Sequence, residues 1–353
     1  MSLSATYRKY TLQFRFPAGT SRGVLHEKES WFIRIADTER PGLYGYGESA
    51  PLPGLSPDAR PDFEEILSMA CQRAGMYNFS PEELPRRFPS IRFGIETALK
   101  DLEGGGRRIL FPSSFTAGRE GIPINGLIWM GDPSFMREQI RQKISEGYRV
   151  LKIKVGALDF DEELRLLKHI REEYVAERPE IRLDANGAFS PGEAPGKLKR
   201  LAEYDIHSIE QPLAPGQHEA MARLCETSPV PVALDEELIG IFDNHERIRL
   251  LDLVRPAYLI LKPTLLGGLG ACEEWITLAN ERDTGWWITS LLESNAGLNA
   301  IAQWTHTLGN PLPQGLGTGM LFTNNLESPL HIREGHLFFD PGRTFDMTPL
   351  WQE

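Results

Sequence analysis

Charged side chains interrupt short apolar runs of this sequence at regular intervals. The run 151–155 alternates aliphatic residues with Lys152 and Lys154. In a β-strand this alternation places both lysines on one face and the aliphatic residues on the other. A solvated edge strand is the ordinary explanation of an isolated pair of this kind. Here the run lies within a series of alternating strands and helices, so we expect both lysines to point into a closed sheet.

Three acidic residues end later apolar runs. Asp184, Glu210 and Asp235 follow one another at separations of 26 and 25 residues, the length of one strand–helix unit. Successive parallel strands would therefore carry all three carboxylates to one rim of a barrel. Each acid alone could simply cap the helix that follows it. Three in register would repel one another without a cation, and an all-oxygen ligand set favours Mg²⁺, with Mn²⁺ as a second possibility.

A third lysine completes the set. Lys262 ends the apolar run 258–261, 27 residues after Asp235, and is expected across the barrel from Lys152 and Lys154. Burial and neighbouring like charges should lower an ammonium pKa toward neutrality and make the amine a usable base. A metal would stabilise the enediolate formed when a proton leaves the carbon next to a carboxylate. The residues therefore indicate proton abstraction beside a carboxylate.

Strand and helix patterns alternate from residue 121 onward. Eight apolar runs at nearly even intervals predict a (β/α)8-type barrel over residues 121–322, an α/β fold. An open doubly wound sheet is the structural alternative, but eight uninterrupted units favour closure. The candidate strands are 123–130, 150–156, 180–186, 206–213, 231–237, 258–264, 286–292 and 314–319.

The first 120 residues show strands first and helices afterwards, which predicts an α+β capping domain over residues 1–120. Residues 323–353 are expected to join this domain. The stretch from Gly45 to Gly54 is too rich in Gly and Pro for a regular element, so we expect a long loop there.

Bulk properties narrow the class of protein. The chain has 353 residues and a formal net charge of −11, which argues against nucleic acid or an anionic membrane as a partner. Its three cysteines form no CxxC pair, and no apolar stretch reaches the length of a membrane span. We therefore expect a cytoplasmic enzyme whose partner is a small carboxylate substrate. The sequence does not specify an oligomeric state.

The charged set resembles the muconate-lactonizing subgroup of the enolase superfamily over essentially the whole chain. The residues that carry the resemblance are Lys152, Lys154, Asp184, Glu210, Asp235, Glu236 and Lys262. Four segments are most similar to the o-succinylbenzoate synthases of that subgroup. These segments are 183–186, 261–264, 292–294 and 315–318. The resemblance implies Mg²⁺-dependent dehydration of 2-succinyl-6-hydroxy-2,4-cyclohexadiene-1-carboxylate to 2-succinylbenzoate in menaquinone biosynthesis.

The resemblance also implies roles for single residues. Lys154 would remove the alpha proton and then protonate the departing hydroxide, while Lys262 would stabilise the intermediate from the opposite face. Lys152 would tune Lys154, Glu236 would pair with a lysine behind the residues that touch the substrate, and Asn186 would lie in the same surrounding layer.

Further implied positions surround the substrate. The implied contacts at the ends of strands seven and eight are Thr289, Ser290 and Gly315. The loop carrying Glu48, Pro53 and Gly54 would be a flexible lid that excludes water and shapes specificity.

Several alternatives share the same lysines. N-acylamino acid racemases and muconate cycloisomerases use them for other reactions, and the racemase is the nearer alternative. Dipeptide epimerases resemble one another in an Asp-x-Asp at strand eight, where this chain has Gly317-Thr318-Gly319. A non-catalytic metal-binding barrel would leave Lys154 and Lys262 dispensable, although burying two ammonium groups without a role is costly. The glycines of 267–270 could cradle a phosphate, but a plain strand-to-helix turn is favoured.

Overall fold

An antiparallel sheet with two covering helices forms the first part of the fold. The computed structural model describes residues 3–20, 23–74, 84–347 and 350–351. The sheet has the order β1-β2-β3. Its strands are β1 (Leu3–Thr20), β2 (Gly23–Asp37) and β3 (Tyr44–Ser49), and the helices are α1 (Phe63–Ala74) and α2 (Pro89–Glu103). Apolar side chains of β2, α1 and α2 pack together between sheet and helices, among them Ile33, Leu67 and Ile95.

A curled parallel sheet of seven strands follows, with helices between the strands. After the short β4 (Ile122–Pro123), its strands run in sequence order from β5 to β11. They are β5 (Gly126–Ile128), β6 (Val150–Lys154), β7 (Glu180–Asp184), β8 (Ile206–Glu210), β9 (Val232–Leu234), β10 (Tyr258–Leu261) and β11 (Gly285–Ile288). The helices are α3 (Pro133–Ser145), α4 (Phe160–Glu173), α5 (Ala194–Leu201), α6 (His218–Thr227), α7 (Asn244–Val254), α8 (Pro263–Leu266), α9 (Leu269–Asn280) and α10 (Asn295–Thr307).

Two residues connect the edges of this sheet. Gln314 forms a parallel bridge to Ile124, and Gly315 forms one to Thr289 next to β11. The predicted eighth strand, 314–319, is therefore too long, because the chain enters a 3-10 turn at Gly317–Met320. Glycine is a poor strand former, which explains the early turn. The predicted barrel type with an antiparallel capping sheet is otherwise confirmed.

The stretch predicted as a loop from Gly45 onward contains strand β3, and that part of the prediction is wrong. A Cβ on Gly45 would overlap the carbonyl oxygen of Ala98, and one on Gly47 would overlap that of Gly94. Both glycines are present because α2 packs directly on the strand, and not because the chain turns. Composition alone could not distinguish these two reasons.

Gly47→Ala is therefore expected to destabilise the protein by about 3 kcal/mol, since the added methyl must push α2 away from β3. The measurement is the free energy of unfolding in urea. The control is Gly192→Ala, because an added Cβ there meets nothing within 4 Å. Equal stability of both variants would contradict the close packing of β3 and α2.

The C-terminal residues contact both parts of the molecule. The hairpin β12 (Leu330–Arg333) and β13 (His336–Phe339) pairs with β4 beneath the barrel. The preceding residues run along β1, where the amide of Thr323 donates to the carbonyl of Gln13 at 2.8 Å. The guanidinium of Arg34 lies 4.3 Å from the ring centre of Trp351. None of the helices in the described ranges is long and apolar enough to span a membrane.

Candidate active site

The acids and lysines singled out by sequence lie together at the carboxyl ends of β6 to β10. In register, Lys154 pairs with Asp184, which pairs with Glu210. Asp235 and Lys262 directly follow β9 and β10. The exposed fractions of Asp184, Glu210 and Asp235 are 0%, 2% and 2%. Three neighbouring strands therefore deliver three buried carboxylates to one rim.

The lysines neutralise these carboxylates directly. The Nζ of Lys152 lies 2.9 Å from Oδ2 of Asp184 and 2.6 Å from Oε2 of Glu210. Lys154 donates to the same Oδ2 of Asp184 at 2.7 Å. Lys262 donates to Asp235. The lysines thus lie on two sides of the acids, as the strand order requires.

Asn186 links Lys154 to Glu236 through hydrogen bonds. The Nζ of Lys154 donates to Oδ1 of Asn186 at 2.7 Å, and Nδ2 of Asn186 donates to Oε1 of Glu236 at 2.9 Å. Asn186 adopts a left-handed backbone with φ 44, a conformation that Asn tolerates better than most residues. Its side chain is thereby aimed at Lys154.

The charges set the protonation of the site. Burial lowers the pKa of Lys152, but Asp184, Glu210 and Asp235 outweigh burial and raise the pKa overall. Burial also lowers the pKa of Lys262. The charge of Asp235 is the main cause that nevertheless raises this pKa overall. The prediction that the ammonium pKa falls is therefore wrong for Lys152 and Lys262, because the charges of the neighbouring carboxylates outweigh burial.

The pKa values of Asp184 and Glu210 shift in opposite directions. Burial would raise the pKa of Asp184, but Lys152 and Lys154 hold it well below its ordinary value. Burial and the charge of Asp184 raise the pKa of Glu210 well above its ordinary value. Repulsion among the acids is thus only partly relieved by lysine.

The donor set fits a hard divalent cation. Asp184, Glu210 and Asp235 are buried carboxylates on neighbouring strand ends, and a bound cation would offset the burial and the charge of Asp184 that raise the pKa of Glu210. Within the described ranges no three acidic, His or Cys side chains already converge as a metal cluster. The ammonium groups of Lys152 and Lys262 contact the acids instead, so a cation would compete with them.

A cavity of about 450 Å³ opens above these residues. The predicted substrate contacts Thr289, Ser290 and Gly315 line it, together with the three lysines. Leu52 of the predicted lid and Leu292 of the segment 292–294 also line it, whereas the lining residues Leu55, Asn125, Trp129 and Leu291 were not predicted. Asn125 and Trp129 flank β5 at its two ends. Their place beside the first barrel strand was the feature of the sequence that could have identified them as lining residues. The apolar walls suit the carbocyclic ring of a substrate, and the lysines at the base of the cavity suit its carboxylate.

Only part of the predicted lid is a loop. Pro53 and Gly54 lie in an exposed turn between Leu52 and Leu55, both of which line the cavity. Glu48 belongs to β3 and is fully buried, so its placement in a mobile loop is wrong. Its carboxylate accepts hydrogen bonds from the amides of Ser294 and Gly297, each at 2.9 Å.

Asp58 anchors the loop behind Leu55. Its Oδ2 accepts hydrogen bonds from the amide and hydroxyl of Ser90, at 2.8 and 2.6 Å, at the start of α2. Burial raises the pKa of Asp58 to about 6. The loop is therefore attached through a carboxyl group that is costly to ionise.

The folded state binds the Asp58 proton more tightly than the unfolded state, so this group favours folding as pH falls through about 6. Relative to Asp58→Asn, wild type should lose about 1.4 kcal/mol of unfolding free energy between about pH 5 and about pH 8, because the loss begins near the ordinary aspartate pKa and is complete above about 6. Urea unfolding of both proteins at the two pH values measures this. An exposed aspartate, varied as Asp283→Asn, serves as control. A pH-independent difference between Asp58→Asn and wild type would refute the assignment.

The backbone amides of the glycine-rich segment 267–270 bind a side chain of the protein itself. The carboxylate of Glu96 on α2 accepts hydrogen bonds from the amides of Leu269 and Gly270, at 2.7 and 3.1 Å. A side chain of the protein thus takes the anion position at the start of α9, which agrees with discounting a phosphate site.

Known proteins share the sequence and the fold of this chain. The family model described as Enolase C-terminal domain-like matches residues 135–343. An o-succinylbenzoate synthase of Desulfotalea psychrophila is 47% identical, over 95% of this chain and 98% of its own. The crystal structure of MenC from the same organism superposes with a TM-score of 0.83 at 44% identity, covering 96% of this chain and 100% of that chain. A dipeptide epimerase of Enterococcus faecalis, complexed with Mg and the dipeptide L-Leu-L-Tyr, has a TM-score of 0.83 at 20% identity over 98% of both chains. The last likeness shows a shared fold.

Proposed function

The chain belongs to the Enolase C-terminal domain-like family and, within it, to the o-succinylbenzoate synthases, and from this premise we propose how its residues carry out the reaction. The reaction is dehydration of 2-succinyl-6-hydroxy-2,4-cyclohexadiene-1-carboxylate to 2-succinylbenzoate and water. The observation that carries the proposal is the convergence of Lys154, Lys262 and three buried carboxylates beneath one apolar cavity.

Lys154 acts as base and then as acid. Its neutral amine accepts the proton from the carbon that bears the ring carboxylate, and the electron pair of that C–H bond moves into the carboxylate. The electrons of this enediolate then return to form the ring double bond while the C–O bond of the neighbouring carbon breaks, and the resulting ammonium donates its proton to the departing hydroxyl, so water leaves from the same face. Hydrogen bonds to Asp184 and Asn186 fix the position of Nζ during both transfers.

The other lysines supply positive charge. Lys262 lies on the opposite side of the acids, bound to Asp235, and faces the cavity as an ammonium. It stabilises the negative charge that develops on the substrate. Lys152, two residues before Lys154 on the same strand face, tunes Lys154 by placing a second positive charge beside it. Glu236 orients Asn186 and, through it, Lys154.

Asp184, Glu210 and Asp235 would hold Mg²⁺, for which Mn²⁺ could substitute. When bound, the cation supplies positive charge next to the substrate carboxylate. Its ligands would then be shared less with Lys152 and Lys154, whose ammonium groups contact the same carboxylates. We also assign residues 1–120, together with 323–353, to the capping domain and 121–322 to the barrel. The turn at Pro53 and Gly54 serves as the lid.

The test is loss of the ultraviolet absorbance of the cyclohexadiene carboxylate when purified protein and Mg²⁺ are added. Rapid loss that EDTA abolishes and added Mg²⁺ restores is the expected result. No loss with metal present would reject the substrate. Deuterium exchange into an N-acylamino acid would then favour a racemase with the same lysines.

A further inference from the structure

A lysine far from the acids lies buried beside the loop that follows β11. Lys28 of β2 is 2% exposed, and its Nζ donates to the carbonyl oxygen of Leu292 at 3.0 Å. Glu48 and Glu293, both fully buried, are the charges that act on it. Burial lowers the pKa of Lys28 and outweighs the opposite charges of Glu293 and Glu48; the lysine and the two glutamates form one buried charged group.

This group fixes the backbone of residues 289–294, here termed the β11 loop. Leu292 has a left-handed backbone with φ 61, which is unfavourable for a residue with a Cβ. Such a conformation persists only when its surroundings enforce it. Lys28 binds the carbonyl of Leu292, and Glu48 binds the amide and hydroxyl of Ser294, the hydroxyl at 2.5 Å. Glu293 accepts a hydrogen bond from the amide of Leu291 at 2.7 Å.

The β11 loop in turn shapes the cavity. Leu291 and Leu292 line it, beside Ser290. The hydroxyl of Ser290 accepts hydrogen bonds from the amide of Leu292 at 3.0 Å and from the hydroxyl of Thr318 at 2.7 Å. Rotation of the backbone at Leu292 would therefore move two apolar walls and one polar group of the cavity together.

We infer that Lys28 is a positioning residue of the active site: it holds Leu292 in the left-handed conformation and thereby sets the cavity wall against which the substrate binds. The inference rests on the proposed function for its kinetic consequence, but its structural consequence does not require a substrate. Lys28 belongs to the antiparallel sheet and does not touch the substrate itself. Through Lys28, this sheet therefore determines part of the substrate specificity of the barrel.

The first test compares Lys28→Met with wild type in the dehydration assay. The expected result is a KM raised by about tenfold with kcat changed by less than about threefold, because a uniform binding contact is lost. A residue that only stabilises the fold would lower the fraction of active protein, and hence the apparent kcat, at unchanged KM. Lys9→Met is the matched control, since Lys9 is an exposed lysine of the adjacent strand.

A double-mutant cycle tests the route through Leu292. Glycine adopts the left-handed backbone without strain, so the Leu292→Gly variant does not need Lys28 to hold this conformation. In the Leu292→Gly background, Lys28→Met should change KM by less than about twofold, since the wall is already absent. Effects on KM that simply multiply would overturn the inference.

Hydrogen exchange separates this inference from the substrate assignment. In Lys28→Met, amides of residues 289–297 should exchange at least about tenfold faster, whereas β6 and α4 should not change. Uniform exchange across the protein, or no change in this segment, would overturn the inference whether or not wild type dehydrates the cyclohexadiene carboxylate. If Lys28→Met does not fold, Lys28→Gln, which keeps a donor without the charge, is measured in the same way.

Discussion

Replacing Lys154 by alanine should lower kcat by about four orders of magnitude, because general acid–base catalysis by one positioned group contributes up to about 10⁴-fold. Both proton transfers depend on the same Nζ, which lies within 2.7 Å of Asp184 and of Asn186. This one substitution therefore removes the general base and the general acid together. The loss should appear in kcat and kcat/KM alike, since the lost interaction operates in the transition state.

Lys168→Ala is the control for this variant. Lys168 is an exposed lysine of α4, and its side chain lies 3.6 Å from Glu172. It should leave kcat unchanged. Circular dichroism would verify that Lys154→Ala remains folded. Turnover by Lys154→Ala within about tenfold of wild type would remove Lys154 from the mechanism, because a group contributing so little is not the base.

Glu210→Gln should weaken Mg²⁺ binding by more than about 100-fold, since even outer partners of a metal ligand contribute about 10–100-fold to affinity. The charge of Glu210 lies at the centre of the site, between the strand ends that carry Asp184 and Asp235. Isothermal titration with Mg²⁺ measures the loss. Glu172→Gln on the exposed face of α4 is the control and should bind like wild type.

The same titration has a predicted pH dependence. Burial and Asp184 raise the pKa of Glu210, so this group holds a proton at pH values where an ordinary glutamate is ionised. Protons therefore compete with the metal, and wild-type Mg²⁺ affinity should rise with pH as Glu210 ionises. The glutamine variant should lose that part of the slope. An unchanged slope would place the titrating group elsewhere.

The site could be predicted from sequence at positions where charged side chains stand in strands that are expected to be buried. Alternating lysines in a buried strand and acids at strand ends are improbable without a function, and Lys152, Lys154, Asp184, Glu210 and Asp235 do lie together in the structure. The predicted family, barrel fold and o-succinylbenzoate synthase activity are confirmed by the relatives. The roles of the individual residues stay predictions.

Other features depend on contacts between distant parts of the chain. Gly45 and Gly47 suggested a loop because the sequence does not reveal that α2 needs their missing side chains. Glu48 suggested a lid, although it binds the start of α10 almost 250 residues away. The influence of Lys28 on Leu292 is likewise invisible in either segment alone. Local patterns predicted the elements, whereas these contacts arise only from how the elements pack.

The most direct test of the central claim is a single-turnover measurement with substrate deuterated at the carbon that bears the ring carboxylate. If Lys154 removes that proton beside a bound divalent metal, deuterium should slow the absorbance change several-fold in wild type with Mg²⁺. No change should occur in Lys154→Ala or after EDTA. Equal rates for the two isotopologues, together with turnover that survives the loss of Lys154, would contradict the account.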